Sequence, residues 1–227
     1  MPAAPEHSDF SIKRIDAFAC GARLLAAGAM RYHRLAVEGG RNLPREGPAL
    51  ILPKHCAYRD ILVEGVLLYR ITRRYANYVM KVGLWGILEW SGGIKVERPK
   101  DIRRIADREQ RRAEIQRARV ANQRMQDYLD GLYQYGELVV SHPEGTRCRD
   151  GLGPLQKGVV EHLVQAEERL GVRVPLIPIG LEYDSYARPG ARVYFRVDEP
   201  LYADSFANTN ELMDHLSNRL RMLSGLA

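Results

Sequence analysis

Cysteine is scarce. Cys20, Cys56 and Cys148 are the only three in 227 residues, an odd number at wide spacing with no Cys-x-x-Cys. That excludes a disulfide framework and a thiolate zinc site, and it points to a reducing, cytoplasmic compartment. Long apolar runs are missing as well. No stretch of about 18 apolar residues occurs, so a spanning helix is not expected; the nearest approach, residues 15–30, is interrupted by Asp16 and Arg23. The opening MPAAPEHSDF lacks the basic-then-apolar pattern of a secretion signal. Histidines at 7, 33, 142, 162 and 215 show no metal-ligand spacing, and neither a metal nor a resident cofactor is expected. Internal repeats and low-complexity segments are absent.

What is present is an ordinary globular balance, 45% hydrophobic and 27% charged residues, in a chain long enough to bury a core without staples. The net charge of +6 is unevenly placed: residues 10–35 and residues 100–119 carry +4 each, leaving the remainder slightly acidic. Two basic patches suit an anionic partner, either phospholipid headgroups or nucleic acid.

Residues 10–35 read as an amphipathic helix, with Ile12, Ile15, Phe18, Ala19, Ala22, Leu25, Ala26 and Ala29 at three- and four-residue spacing. Short apolar runs predict strands at 49–53, 77–80, 94–97, 138–141, 174–181 and 193–197. Helical spacing falls at 58–70, 82–90, 99–135, 155–170 and 208–222. The long pattern at 99–135 is polar in its first half and carries an apolar stripe in its second. Such alternation predicts an α/β fold, a central mixed sheet with helices on both faces, preceded by the N-terminal helical segment. The expected organisation is a segment 1–35 followed by one domain, 36–227.

Three loops carry the chemistry. In ALILPKHCAYRDIL, residues 49–62, a buried strand is followed at once by His55, with Asp60 five positions on. On one helix the two would lie about 140° apart. With His55 in the turn and Asp60 in the first helical turn, the imidazole folds back to the carboxylate, which fixes its tautomer and leaves the far nitrogen to take a proton. Taken alone, the pair reads more readily as a loop histidine and a helix-start acid. In SHPEGTRCRD, residues 141–150, a strand end is followed by an acid, a Gly turn, a hydroxyl and the Arg147 fork, a set suited to a phosphate ester and also to a plain β-turn. In SGGIKVER, residues 91–98, Arg98 closes a short strand. Cys56 adjoins His55, but neighbouring side chains point apart and a thiol nucleophile is set aside. Residues 78–90, with both tryptophans, read as core or as the wall of an apolar site.

His-x-x-x-x-Asp after a strand, then Gly-x-x-x-x-x-Arg, then Pro-Glu-Gly-Thr-Arg, then the apolar strand VPLIPIGL is a motif order that resembles the glycerolipid acyltransferase family, of the lysophosphatidic acid acyltransferase type. The resemblance runs from about residue 37 to residue 200. It implies His55 as general base and Asp60 as its orienting partner. It also implies Arg98 and Arg147 on the acceptor phosphate, with Glu144, Gly145 and Thr146 shaping the acceptor site. Pro178 matches a fourth motif. The implied reaction moves a fatty acyl group from acyl-CoA or acyl carrier protein to a lysophospholipid hydroxyl, with amides of the turn after His55 holding the oxyanion. Glycerol 3-phosphate or another lysolipid is the alternative acceptor. The remaining alternatives are a hydrolase with the same dyad and a non-catalytic basic membrane module. Lys54, His142 and Lys95 depart from the family pattern, standing where a small polar residue, Phe and an apolar residue are usual. With a lipid acceptor, the basic patches point to a phospholipid membrane surface and not to nucleic acid. The expected location is cytoplasmic, peripheral on the inner face of the cell membrane, with Lys13, Arg14, Arg23, Arg31 and Arg34 flanking the stripe of the N-terminal helix.

Overall fold

In the computed structural model the described residues are 10–81, 87–97, 102 and 105–226. A seven-stranded sheet runs in the order β1-β7-β6-β2-β5-β3-β4. Its strands are β1 (Arg34–Glu38), β2 (Ala49–Pro53), β3 (Ala76–Lys81), β4 (Gly93–Val96), β5 (Leu138–Val140), β6 (Leu176–Tyr183) and β7 (Arg192–Val197). All neighbours pair parallel except β6 and β7. The helices are α1 (Asp16–Ala29), α2 (Asp60–Thr72), α3 (Arg108–Gln134), α4 (Gly158–Leu170) and α5 (Thr209–Leu223), with a single helical turn at Ile87–Trp90.

The sheet has helices on both faces. Alternation along β6 makes the division visible: Ile177, Ile179 and Leu181 belong to a core shared with α1 and α2, whereas Leu176 belongs to one shared with α3, α4 and α5. Every residue of β2 is buried, as expected of a central parallel strand covered on both sides. The loops that carry chemistry therefore leave β2 and β5, adjacent strands, at one end of the sheet. That is where ligands bind in open parallel sheets.

Two elements differ from expectation. The helix read over 10–35 begins only at Asp16 and ends at Ala29, and residues 34 and 35 belong to β1. Residues 10–15 are not helical. They cross to the opposite face, where Phe10 packs on Tyr128 and Tyr135 of the α3 end and Ile12 joins the second core. Strand β1 is an edge with charges at both ends and little burial, so its sequence carries almost no alternation to read. In the long pattern at 99–135 residues 105–107 are not helical, and the helix Arg108–Gln134 follows, capped by Asp107, which accepts the Gln110 amide at 2.6 Å.

Candidate active site

His55 leaves the end of β2 and Asp60 opens α2, and the chain between them folds back on the carboxylate. His55 Nδ1 lies 3.0 Å from Asp60 Oδ2. The same oxygen accepts the amides of Cys56 at 2.5 Å and Ala57 at 2.7 Å, and Oδ1 accepts the Tyr183 hydroxyl at 2.6 Å. Asp60 is fully buried, so these donors replace the water it gives up. A carboxylate accepts only; the ring proton therefore sits on Nδ1, and Nε2 keeps a free lone pair with no partner among the described residues. Two amides expected to face an oxyanion, those of Cys56 and Ala57, are thus spent on Asp60. In the same turn the Tyr58 and Arg59 amides have no acceptor among the described residues.

The loop after β5 closes on this turn. Glu144 is buried and faces inward: its Oε2 accepts the His55 amide at 2.7 Å, and its Oε1 accepts the Gly153 amide at 2.9 Å. Lys54, one of the departures noted in the sequence, is equally buried. Its Nζ donates to the Cys148 carbonyl at 2.6 Å and lies 3.6 Å from Glu144 Oε1. The Cys148 amide donates to the His55 carbonyl at 2.8 Å. Glu144 therefore ties two loops together. Gly145 turns at φ +59, a left-handed conformation that a side chain would strain. Thr146 and Arg147 are exposed beyond it, the guanidinium 3.6 Å from the centre of the Tyr58 ring. Arg98, Arg103, Arg104 and residues 82–86 of the tryptophan-rich stretch lie outside the described residues. Pro178 sits in β6 opposite Leu52 of β2.

Cys56 is no nucleophile here. Burial first, and then the charge of Asp60, push its thiol up to about 11, so it remains protonated near neutrality. Beside the turn lies an open cleft of about 730 Å³, with Arg59 and Arg149 in its lining. Arg59 donates to the Tyr186 carbonyl at 2.7 Å, and Arg149 stacks on the Tyr186 ring.

The pattern reading missed Tyr183, Lys54 as a buried cation, and Glu64 with His142. Tyr183 had no signal beyond its place at the end of an apolar strand. Glu64 had one: it follows Asp60 by four residues, one helical turn on the same face.

An acid-oriented imidazole with a free nitrogen at the end of a parallel strand can take a proton from a hydroxyl. The sequence profile of the Acyltransferase family matches residues 34–182, well over half of the chain and this site up to but not including Tyr183 and Tyr186. The chain belongs to that family. The acyltransferase fold here is also similar to the crystal structure of the 1-acyl-sn-glycerophosphate (LPA) acyltransferase PlsC from Thermotoga maritima. The TM-score is 0.61 at 16% identity, covering 90% of this chain and 77% of the other. No sequence among curated proteins matches. An acyltransferase acts between an acyl donor and an acceptor.

Proposed function

We propose that this acyltransferase moves a fatty acyl group from a thioester, acyl-CoA or acyl carrier protein, to the hydroxyl of a lysophospholipid such as 1-acylglycerol 3-phosphate. The observation that carries the reading is the His55–Asp60 pair at 3.0 Å with Nε2 left open. His55 Nε2 removes the acceptor hydroxyl proton as that oxygen attacks the thioester carbonyl carbon. The new C–O bond leaves a tetrahedral oxyanion, for which the free Tyr58 and Arg59 amides are the nearest donors on the turn. Collapse breaks the C–S bond, and the imidazolium, stabilised by Asp60, returns its proton to the thiolate. No covalent enzyme intermediate is needed. Arg147 and Arg98 are proposed to hold the acceptor phosphate.

The same reading makes the protein peripheral on the inner face of the cell membrane. Among the described residues no helix is long and apolar enough to cross a membrane. α1 rests on the domain through Ala19 and Ala26 and exposes Phe18, Leu24 and Leu25, with Trp90 edge-on to Phe18, ring centres 5.2 Å apart. Of its flanking cations, Arg14 is paired with Glu137 at 2.7 Å, and Arg23 and Lys13 lie over the Tyr69 and Tyr128 rings, whereas Arg31 and Arg34 are exposed. Anchoring therefore leans on apolar insertion more than on charge.

The test is to incubate the pure protein with acyl-CoA or acyl carrier protein donors and a panel of acceptors: lysophosphatidic acid, glycerol 3-phosphate and a phosphate-free lysolipid. Products are read by mass spectrometry. Acylated phosphate-bearing lysolipid, with one thiol released per ester, is expected. Free fatty acid without acylated acceptor would replace the reading with a hydrolase, and no product from any combination would sink it.

A further inference from the structure

The proposed mechanism leaves a second buried imidazole–carboxylate pair unused. Glu64, fully buried on α2, places Oε1 3.0 Å from His142 Nε2. The His142 ring lies on the His55 ring, with centroids 4.0 Å apart and planes within 28°. Two such pairs therefore stand ring on ring, one reaching in from the loop after β2 and the other from the loop after β5.

We propose that His142 and Glu64 are a positioning pair that sets the pH range over which His55 stays a free base, through a cation on His142 held against the His55 ring. The proposal rests on the reading of His55 as general base.

The charges around the two rings support it. His142 faces Glu64 and Asp60 from α2 and Glu144 from its own loop. His55 faces Asp60, and the Glu144 carboxylate on its amide is shared with Lys54. From β6 Tyr183 meets Asp60, and from β3 Tyr78 stands beside Glu64; burial keeps both phenols protonated. Apart from Lys54, the charges that face the rings among the described residues are thus carboxylates, which favour a cation on the stack. The stack resists the second proton, because like charges this close disfavour each other. His142 takes the first. Burial, the strongest influence on it, opposes protonation, yet the charge and hydrogen bond of Glu64, with Asp60 and Glu144, outweigh burial and hold its pKa above the ordinary histidine value. Asp60 remains the orienting partner of His55. A base is most useful when its proton affinity lies near the working pH.

The double variant His142→Phe/Glu64→Gln keeps the stacked ring and the buried volume and removes both charges together, so neither is left stranded. Two midpoints are followed: the acid limb of kcat/KM against pH, and the His55 imidazole signal in an NMR titration of the same protein. Both are expected to move to higher pH by about half to one unit, the scale of a nearby charge partly offset by its partner. Glu64→Gln alone, the fallback if the double variant does not fold, is expected to shift them the same way by less. A pair that only fills space predicts a uniform loss of rate with both midpoints in place, and that result would overturn the proposal. The NMR midpoint is read without turnover. If it moved while the acid limb stayed, the assignment of His55 as base would fail and the electrostatic pairing would stand; if it did not move, the pairing would fail whatever the activity.

Discussion

The turn that carries His55 and the helix α1 lie on the same face of the sheet, and they are held in opposite ways. In the turn two buried carboxylates fix the chain: Asp60 accepts from His55, Cys56, Ala57 and Tyr183, and Glu144 accepts from His55 and Gly153. α1 meets the domain through small side chains and leaves Leu24 58% and Leu25 79% exposed. Fixing one nitrogen to a fraction of an ångström requires surroundings with no slack. Adhesion to a fluid surface, the role proposed for α1, requires apolar groups that the fold leaves uncovered.

The sharpest way to break the comparison is to act on the tight region. His55→Ala is expected to lower kcat by about 10² to 10⁴, the usual contribution of a positioned base, with the circular dichroism spectrum unchanged. Retention of more than about a tenth of wild-type turnover would remove the base assignment. Arg147 sits between the two regimes, in the site loop yet exposed on the Tyr58 ring. Arg147→Ala is expected to cost roughly 1.5–3 kcal/mol with phosphate-bearing acceptors, the range for a charged hydrogen bond, and far less with phosphate-free lysolipids. Arg98→Ala is expected to match it, and Lys at either position to rescue poorly for want of a planar fork. Steady-state kinetics on both acceptor classes decides, and equal losses would show that neither arginine reads phosphate. The smallest effect belongs to the loose region. Leu24→Ser/Leu25→Ser is expected to reduce binding to anionic vesicles at least about tenfold in a sedimentation assay, since even one Leu contributes about 1.5–3 kcal/mol when fully covered. Activity on a monomeric soluble acceptor is expected to persist. Unchanged sedimentation would mean that α1 is not the anchor.

The same contrast explains what the sequence could convey. The strand at 49–53 is fully legible because a run buried on both faces has no polar residues to blur it, and β2 covers those residues. His55 and Asp60 are legible because their partnership is local, across five residues. Tyr183 and Lys54 are not, because their roles exist only once β6 and the loop after β5 are packed beside β2. α1 shows a third case. Helical spacing marks an apolar stripe but not which way it faces: Ala19 and Ala26 turn inward while Phe18 and Leu25 turn out. Arg14 and Arg23, read as cations flanking the stripe of a membrane-surface helix, are occupied by Glu137 and Tyr69. Long side chains reach partners far away in sequence, and a pattern of charges cannot reveal that.

Strand order carries a consequence for how activity begins. β5 lies between β2 and β3, so the first hundred residues cannot close their own sheet; a strand made later must insert between two made earlier. The same late segment supplies Glu144 to the His55 amide and the carbonyl that receives Lys54. A nascent chain that has already emerged with His55 and Asp60 therefore holds both residues without the frame that aims them. Pairings so distant in sequence form slowly, because the intervening loop must be closed before any contact rewards it. A chain truncated before β6 would carry His55 and Asp60 but lack the strand that brings Tyr183 to Asp60.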